Sequence, residues 1–411
     1  MATNKKIFLA LQHLIAMFGA TVLVPILTGL NPSVALVSAG AGTLIFHAVT
    51  KRKVPVFLGS SFAFIPVIIS VGALYGDDLR YAQGGIVVAG LLYVLMSFLV
   101  KWVGMETIKR FIPPQVIGPM IMIIGLSLVP VAFDMASSHY PLAFLTLAAA
   151  LIITLRAGGF VKQLSILLAV AIGYVVAMAM GEVNTSIVQA APLLAMPVFT
   201  LPRFDVGAIM IIAPVVLAVF MEHVGDITMN GAVVKQDFIK DPGLNRTLLG
   251  DGLATLLAGM IGGPANTTYG ENTGVLAITR NYDPSTLRLA AVFAIVLGFV
   301  AKLGGVLNSI PVSVMGGISI MLFGMIALVG FNTIRLNKVA MNWKNILVMG
   351  TMLFLGLGAS YVEGYLGIMI GVPISENVSI TGLSFAAIVG VIMNAILNPV
   401  PKTEVVLENQ S

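Results

Sequence analysis

The chain is built from apolar segments of about 20 residues, separated by short polar stretches that contain proline or glycine. A helix of that length crosses the ~30 Å hydrocarbon layer of a membrane. Charged residues make up only 9% of the chain, against about 25% in soluble domains, so a water-soluble fold is excluded. The pattern predicts an all-α polytopic membrane protein with about fourteen spans. The segments lie at roughly residues 7–30, 32–50, 55–73, 83–103, 112–132, 140–155, 160–181, 206–228, 246–262, 264–279, 287–307, 311–330, 342–360 and 378–398.

Two of these segments are interrupted. The third (VPVFLGSSFAFIPVIISVG) and the tenth (PANTTYGENTGVLAIT) open with polar, glycine-containing stretches in place of a continuous apolar helix. Each is the third of seven spans, and paired interruptions at matching places in two halves are the best sequence sign of a transporter's binding site. An odd number of spans per half makes the two repeats inverted. Because unpaired backbone is costly in lipid, we expect the two stretches to pair as short antiparallel strands, each followed by a half-helix.

The basic residues indicate the orientation of the chain. With the N-terminus in the cytoplasm, nineteen of the 22 Lys and Arg residues fall in cytoplasmic loops, including Lys109, Arg110 and Lys402. This bias agrees with the positive-inside rule and supports both the span count and the orientation. The three basic residues on the opposite side are Arg80, Arg203 and Lys302.

Four acidic residues fall within or against apolar segments: Glu222, Asp226, Asp251 and Glu271. A charge at the bilayer centre is costly, so such groups normally face a cavity or one another. Glu222 and Asp226 are four residues apart and share one face of a helix, where burial and a second carboxyl both favour proton binding. A carboxyl that is half protonated near neutral pH suits proton coupling, and either residue is a candidate carrier. We expect Asp251, near the cytoplasmic end of its span, to be a solvated or helix-starting residue.

The interrupted segments supply further candidate site residues. Glu271 and the backbone of Tyr269 and Gly270 are expected at a polar cavity, and Phe62 of GSSFAF offers an aromatic face, although Phe62 taken alone is better explained by core packing. A carboxylate accepts from ring N–H groups, backbone N–H groups donate to ring carbonyls, and a ring stacks on an aromatic side chain. These groups predict a secondary transporter for a small, polar, planar solute, with the proton as candidate coupling ion. They do not name the solute.

Other classes of protein fit less well. No nucleophile elbow, GxxxxGK[ST] phosphate loop or His-rich metal set is present, so an enzyme, a metal site and a cofactor are not expected. An uncoupled channel or facilitator would conduct without a proton gradient, which distinguishes it. An anion transporter on the same repeats is disfavoured because carboxylates at the site would repel its substrate. The basic residues are spread over many loops and form no single patch, so no nucleic-acid partner is expected.

Several motifs carry a resemblance to a known family. ENTGVLAITR (271–280) has an acidic residue, then Asn, any residue, Gly, four variable residues, Thr and a basic residue. Other matching stretches, in the same order, are LQHLIAMFGATVLVP (11–25), FLGSSFAF (57–64), EHVG (222–225) and PANTTYGEN (264–272). With these motifs the sequence closely resembles, over nearly its whole length, the nucleobase–cation symporter-2 (nucleobase:ascorbate transporter) family.

The resemblance implies an architecture of fourteen spans in two inverted seven-span repeats. A core domain holds the substrate against a gate domain, and family members tend to be homodimers. The implied divisions are 1–105 for core spans 1–4, 106–204 for gate spans 5–7, 205–308 for core spans 8–11, 309–400 for gate spans 12–14, and 401–411 for a cytoplasmic tail.

The family pattern also implies roles for residues. Glu222 and Glu271 would bind a pyrimidine ring, Phe62 would stack on it, and the backbone of Tyr269 and Gly270 would assist. Three residues would support the site. They are Gln12, His13 and Asn272.

Two positions depart from the pattern of the uracil permeases in this family. Asp226 stands where a His is familiar, and Phe323, at a substrate-binding position of the twelfth span, stands where a Tyr is familiar. A carboxylate that needs no Tyr partner would explain both changes together. The resemblance implies proton-coupled import of uracil by alternating access, across the cytoplasmic membrane of a bacterium, with both termini cytoplasmic. Because Asp also occurs at this position in purine-transporting relatives, a proton-coupled xanthine or purine permease is the alternative.

Overall fold

The fold is helical, with two short two-stranded sheets. The predicted tail at 401–411 lies outside the described residues, as do Lys109, Arg110 and Lys402. The computed structural model describes residues 3–104, 113–375 and 378–398.

Local signals set the helix starts in the first half of the chain. The side chain of Asn31 accepts a hydrogen bond from the Ser33 amide at 2.9 Å, and Pro32 occupies the first helical position, as in many capped helices. The elements of this half are α1 (Thr3–Thr28), α2 (Pro32–Val49), β1 (Leu58–Ser60), α3 (Ile65–Leu74), α4 (Arg80–Val103), α5 (Pro114–Ser127), α6 (Val129–Ser137), α7 (Tyr140–Arg156), α8 (Gly159–Gln163), α9 (Ser165–Ala179) and α10 (Thr185–Ala190).

The second half repeats the motif of a short strand followed by a short helix. A further hairpin, β3 with β4, joins the last two helical segments; the sequence did not predict it, and β4 occupies the first residues of the predicted segment at 378–398. The elements of this half are α11 (Val206–Ile212), α12 (Val215–Val234), α13 (Leu244–Ile261), β2 (Asn266–Thr268), α14 (Gly270–Thr279), α15 (Pro284–Gly298), α16 (Ala301–Asn308), α17 (Val312–Leu336), α18 (Trp343–Leu353), α19 (Ala359–Leu366), β3 (Val372–Ser375), β4 (Val378–Ile380) and α20 (Gly382–Leu397).

The two interrupted segments pair with each other, as predicted. β1 and β2 are antiparallel, with Gly59 opposite Thr267 at the centre of the ladder. Because the two strands run in opposite directions, α3 and α14 continue away from the crossing in opposite directions, as inverted halves require. The pairing gives partners to backbone groups that a lipid environment would leave unsatisfied.

Polar side chains of neighbouring helices hold the crossing in place. The side-chain amide of Asn266 donates to the carbonyls of Ser38 in α2 and Ala254 in α13, both at 3.2 Å. The Leu58 amide donates to the hydroxyl of Thr43 at 2.9 Å. Every residue of both strands is buried, so these bonds lie where water does not compete for them.

The helices are those of an integral membrane protein. Among the described residues, six are long and apolar enough to cross a membrane, or seven if Pro284–Gly298 and Ala301–Asn308, bent by 77°, form one span. Shorter apolar helices such as Phe62–Leu74 accompany them. Interruptions and bends divide several apolar segments into pieces below spanning length, so the count of about fourteen spans stays a prediction.

Charged and aromatic side chains join the loop before α4 to the segment before α11. The hydroxyl of Tyr75 donates to Asp205, whose carboxylate also caps α11. The carboxylate of Asp78 lies 2.7 Å from the Arg80 guanidinium and 3.3 Å from that of Arg203. The hydrogen bond from Arg80 lowers the pKa of Asp78 to about 2. This group lies on the surface, so salt screens its interactions.

We expect Asp78→Asn to lower the thermal unfolding temperature in a pH-dependent way. The folded-state pKa of Asp78 is depressed, so its contribution is complete above the unfolded value near 4 and is lost as the pH falls towards 2. The measurement is the difference in unfolding temperature between wild type and variant in detergent, from pH 7 to pH 3. The control is Asp77→Asn, at the exposed neighbouring position. A difference that is the same at pH 7 and pH 3 would contradict the ion pairing.

Candidate functional site

A cavity of about 600 Å³ opens between α12 on one side and α5 and α17 on the other. Phe62, Glu222 and Asp226 line it, and Thr333 and Asn337 line it at the last turn of α17. Of the described residues that line it, none is a lysine, arginine or histidine. Carboxyl groups therefore face this cavity without a cationic partner.

A second, wider opening has a different character. It measures about 780 Å³ and is lined by Arg52, Lys53, Lys240 and Asp241 among others. Lys53 and Asp241 form an exposed ion pair at 2.6 Å. None of the sequence-predicted site residues lines this opening, so we place the candidate site at the carboxyl-lined cavity.

One face of α12 carries the cavity's acidic residues. Glu222 and Asp226 are four residues apart and both line the cavity, as their spacing predicted. The carboxylate of Asp226 accepts a hydrogen bond from the hydroxyl of Thr268 in β2 at 2.8 Å. That bond links α12 directly to the strand crossing.

The N-terminus of α14 lies next to this face. Glu271 is in the first turn of α14 and is close enough to Glu222 and Asp226 for the three carboxyl groups to interact electrostatically. The amide of Tyr269 is not free, because it donates to the Phe57 carbonyl at 3.0 Å. The amides that follow belong to the first turn of the helix, where no preceding turn supplies acceptors. The first available N–H donor is therefore the amide of the residue after Tyr269.

Gly270 provides that amide. A side chain built at Gly270 would meet the terminal methyl of Met229, a cavity-lining residue of α12, at 3.5 Å. Met229 therefore lies between the cavity and the start of α14. Gly270, Tyr269 and Glu271 themselves do not line the cavity in this structure.

The ring of Tyr269 points away from the cavity and into the protein core. Its hydroxyl donates to the Ser60 carbonyl at 2.9 Å and lies 3.4 Å from the hydroxyl of Thr21 in α1. A Cβ at Gly59 would collide with the ring, so glycine is required where the two strands cross. The side chain thus fastens β1, α1 and α14 together.

Two of the predicted supporting residues, His13 and Asn272, lie where α14 contacts α1, away from the cavity. Asn272 donates through its side-chain amide to the backbone carbonyl of His13 at 3.0 Å, and its nitrogen is 3.2 Å from the ring Nδ1. Both side chains are buried. The neighbouring Gln12 has a buried amide oxygen with no hydrogen-bond partner in the described part of the chain. The structure therefore places His13 and Asn272 at the contact between α1 and α14, with Gln12 next to His13 on α1.

Phe323 is not brought to the cavity. It is 1% exposed and belongs to an apolar cluster that includes Ile318 and Leu322. The residues of α17 that do line the cavity lie further along the helix, from Ile326 onwards. The role of Phe323 as a substrate-binding residue stays a prediction.

The expectation for Asp251 was wrong. The residue is fully buried and lies in the second turn of α13, where its carboxylate is 3.1 Å from Nδ1 of His223. The other ring nitrogen of His223 lies 3.0 Å from the hydroxyl of Thr247. α13 starts at Leu244 and packs against α2 and α4, which removes Asp251 from solvent.

Sequence reasoning missed three residues at the site. Thr268 bonds to Asp226, Met229 covers the start of α14, and Asn230 is fully buried on α12. A signal for Asn230 was present, since it follows Asp226 by four residues and continues the same polar face.

Paired half-helices beside a carboxyl-lined cavity define a membrane transporter, and solved structures share the fold. The transmembrane domain of BicA, a bicarbonate transporter of a cyanobacterium, aligns with a TM-score of 0.62 at 16% identity, over 85% of this chain and 94% of its own. The murine anion transporter Slc26a9 in the inward-facing state aligns with a TM-score of 0.69 at 7% identity, over 96% of this chain and 68% of its own. At these identities the likeness concerns the fold alone.

Residues 4–365 match the sequence profile of a permease family, the nucleobase–cation symporter-2 family, and the chain belongs to it. It is similar to the probable uracil permease of Haemophilus influenzae, at 41% identity over 98% of this chain and 96% of that protein. It is also similar to the uracil permease of Bacillus caldolyticus, at 40% identity over 98% and 95%. The members of this family are transporters and not enzymes.

We expect Tyr269→Phe to destabilise the fold while leaving the shape of the side chain unchanged. The change removes a buried hydrogen bond to the Ser60 carbonyl, worth about 1 kcal/mol. The measurement is the free energy of unfolding, or the unfolding temperature, of the purified protein. Tyr365→Phe is the matched control, because Tyr365 is 87% exposed. Equal stability of the two variants would show that the Tyr269 hydroxyl does not hold the crossing together.

Proposed function

We propose that the protein imports uracil together with protons, by alternating access, across the cytoplasmic membrane of a bacterium. The observation that carries the proposal is the pair of carboxyl groups of Glu222 and Asp226 that line the cavity, with a third, that of Glu271, close by at the start of a half-helix. The names of the relatives agree with this substrate, and the fold agrees with transport.

The chemistry of uracil matches the groups at the site. Its ring N–H groups find acceptors in the carboxylates of Glu222 and Glu271. Its carbonyl groups find a donor in the amide of Gly270, at the positive end of the α14 dipole. Phe62, which lines the cavity, offers a face on which the ring stacks. A ligand that leaves these buried groups unpaired is rejected strongly.

Proton coupling follows from the charges at the cavity. Glu222 and Asp226 face it without a lysine, arginine or histidine beside them among the described lining residues. Ionising both carboxyl groups in a membrane cavity without a nearby cation costs free energy, so one of them carries a proton for part of the cycle. Protonation from the outside favours loading, and loss of the proton to the less acidic cytoplasm favours release. Asp226 and Glu222 are the candidate carriers.

The location of the cavity supports alternating access. In the division proposed here, 1–105 and 205–308 form the core, and 106–204 and 309–400 form the gate. The cavity then lies on the boundary between them, because α12 belongs to the core and α5 and α17 to the gate. The cavity reaches Asn337, which lies between the basic residues Arg335 and Lys338. Basic residues indicate the cytoplasmic side of the membrane, so with both termini in the cytoplasm the cavity opens inwards and the structure is an inward-facing state. A homodimer is the proposed assembly.

A purine permease is the second candidate. Asp226 stands where the uracil-permease pattern has a His, and 600 Å³ lies within the range that accepts ligands larger than one ring. The volume alone therefore does not exclude xanthine.

Uptake into proteoliposomes decides between these two substrates. With an inward proton gradient we expect labelled uracil to accumulate, and excess unlabelled xanthine to leave its uptake unchanged. Collapse of the gradient with a protonophore should reduce uptake to equilibration. Inhibition by xanthine, or no accumulation of uracil, would move the substrate to the purines, and accumulation that persists without the gradient would exclude proton coupling.

We expect Glu271→Gln and Glu222→Gln each to weaken uracil binding by roughly 5- to 13-fold. Each change replaces a charge-assisted hydrogen bond, worth about 1.5–3 kcal/mol, by a neutral one worth about 0.5–1.5 kcal/mol, a loss of about 1–1.5 kcal/mol. The measurement is the Kd for uracil of the purified protein. Glu182→Gln, in an exposed loop, is the control and should bind as wild type does. Unchanged binding in either site variant would remove that carboxyl group from the proposed site.

A further inference from the structure

Asn230 connects three elements at the site through one side chain. It is fully buried on α12, one turn beyond Asp226 and on the same face as Glu222. Its side-chain amide donates to the Pro55 carbonyl at 3.0 Å and to the Thr273 hydroxyl at 3.1 Å. Since a proline carbonyl can only accept, the amide nitrogen must be the atom that faces these partners.

The two acceptors belong to the two interrupted segments. Pro55 lies just before β1, and Thr273 is in α14, two residues after Glu271. Asn230 is thus a direct tie between α12, which carries Glu222, and the half-helix that carries Glu271. The bond from Thr268 to Asp226 is a second tie, but it ends in β2 and does not reach α14 itself.

Two consecutive residues of α14, about 100° apart around the helix, bond to different neighbours. Thr273 accepts from Asn230 of α12, and Asn272 donates to His13 of α1. If the bond to Thr273 is lost, the remaining bond at this level holds α14 to α1, and none in the described part of the chain holds it to α12. The distance between the helices that carry the two carboxyl groups then increases.

That distance matters because a planar ring bound by both carboxyl groups must span it. The cavity volume of about 600 Å³ does not distinguish one ring from two. Hydrogen bonds, in contrast, lose most of their strength when a donor and an acceptor are moved beyond about 3.5 Å. Selectivity for a single ring therefore depends on the separation of α12 and α14.

We propose that the hydrogen bond from Asn230 to Thr273 sets this separation, and that Asn230 and Thr273 are positioning residues that favour a one-ring nucleobase over a two-ring one. The inference rests on the proposed nucleobase transport. Neither side chain needs to touch the substrate, because both act through the distance between Glu222 and Glu271.

The test compares Thr273→Val with Thr273→Ser in proteoliposomes. Valine is nearly isosteric with threonine and lacks the hydroxyl acceptor, whereas serine keeps it. For the wild type and each variant the KM for uracil and the inhibition constant of xanthine are measured, and the highest xanthine concentration that leaves wild-type uptake unchanged is taken as the lower bound of the wild-type constant. We expect the ratio of xanthine inhibition constant to uracil KM to fall at least tenfold in Thr273→Val and to stay within threefold of wild type in Thr273→Ser.

Asn230→Leu removes the donor and should change the ratio in the same direction. The double variant Asn230→Leu/Thr273→Val should then add no further change, because both act on one bond. If Thr273→Val does not give a folded protein, judged by its thermal unfolding, Thr273→Ala removes the same acceptor without adding bulk.

Several outcomes would overturn the inference. A ratio that is the same in Thr273→Val and Thr273→Ser would show that the hydroxyl does not control selectivity. A loss of uracil and xanthine recognition by equal factors would indicate general damage to the site. The proposed function is tested separately by wild-type uptake: if the wild type carries xanthine and not uracil, that proposal fails and the preference for one ring fails with it, whereas uracil uptake by the wild type with an unchanged ratio in Thr273→Val overturns only the present inference.

Discussion

The pairing of β1 with β2 is the interaction on which the rest of the structure depends. The proposed transport of a polar ring needs exposed backbone donors and a fixed carboxyl group inside the membrane, yet unpaired backbone is excluded from lipid. The antiparallel ladder centred on Gly59 and Thr267 resolves this conflict, because each interruption supplies the partners that the other lacks. Only the first amides of the half-helices are left over, and those are the groups that a substrate can use.

Buried amide and hydroxyl side chains then fix the helices around that ladder. Asn266 bonds to α2 and α13, Asn272 bonds to α1, and Asn230 bonds to α14. In an apolar interior each of these bonds is costly to break, since its partner would be left unsatisfied. Apolar packing brings the helices together without fixing their register, whereas these few polar bonds define distances to a fraction of an ångström. The geometry of the site is therefore set mainly by residues that do not face the cavity.

The sequence predicted those features that depend on spacing along one segment. The two interruptions, their pairing and the shared face of Glu222 and Asp226 all follow from periodicity and from the need to satisfy the backbone. The sequence did not predict the features that depend on which helix packs against another. The position of Asp251 in its segment predicts a residue near a helix end. In the structure neighbouring helices cover α13, which no local pattern reveals, and the partner of Asp251, His223, lies 28 positions earlier. The amide of Tyr269 was expected to be available, yet the ladder itself consumes it.

The comparison with anion transporters shows which part of the structure determines the substrate. BicA and Slc26a9 share the fold of this chain at 16% and 7% identity, and a shared fold does not determine the solute. The positive end of a half-helix is common to the frame and suits an anion. In this chain Glu271 occupies the first turn of α14, and Glu222 and Asp226 face the cavity close by, so the field at the site is reversed. An anion would be repelled there, whereas a neutral ring with N–H donors gains acceptors. In the proposed function the carboxyl groups, and not the frame that holds them, select the chemistry of the solute.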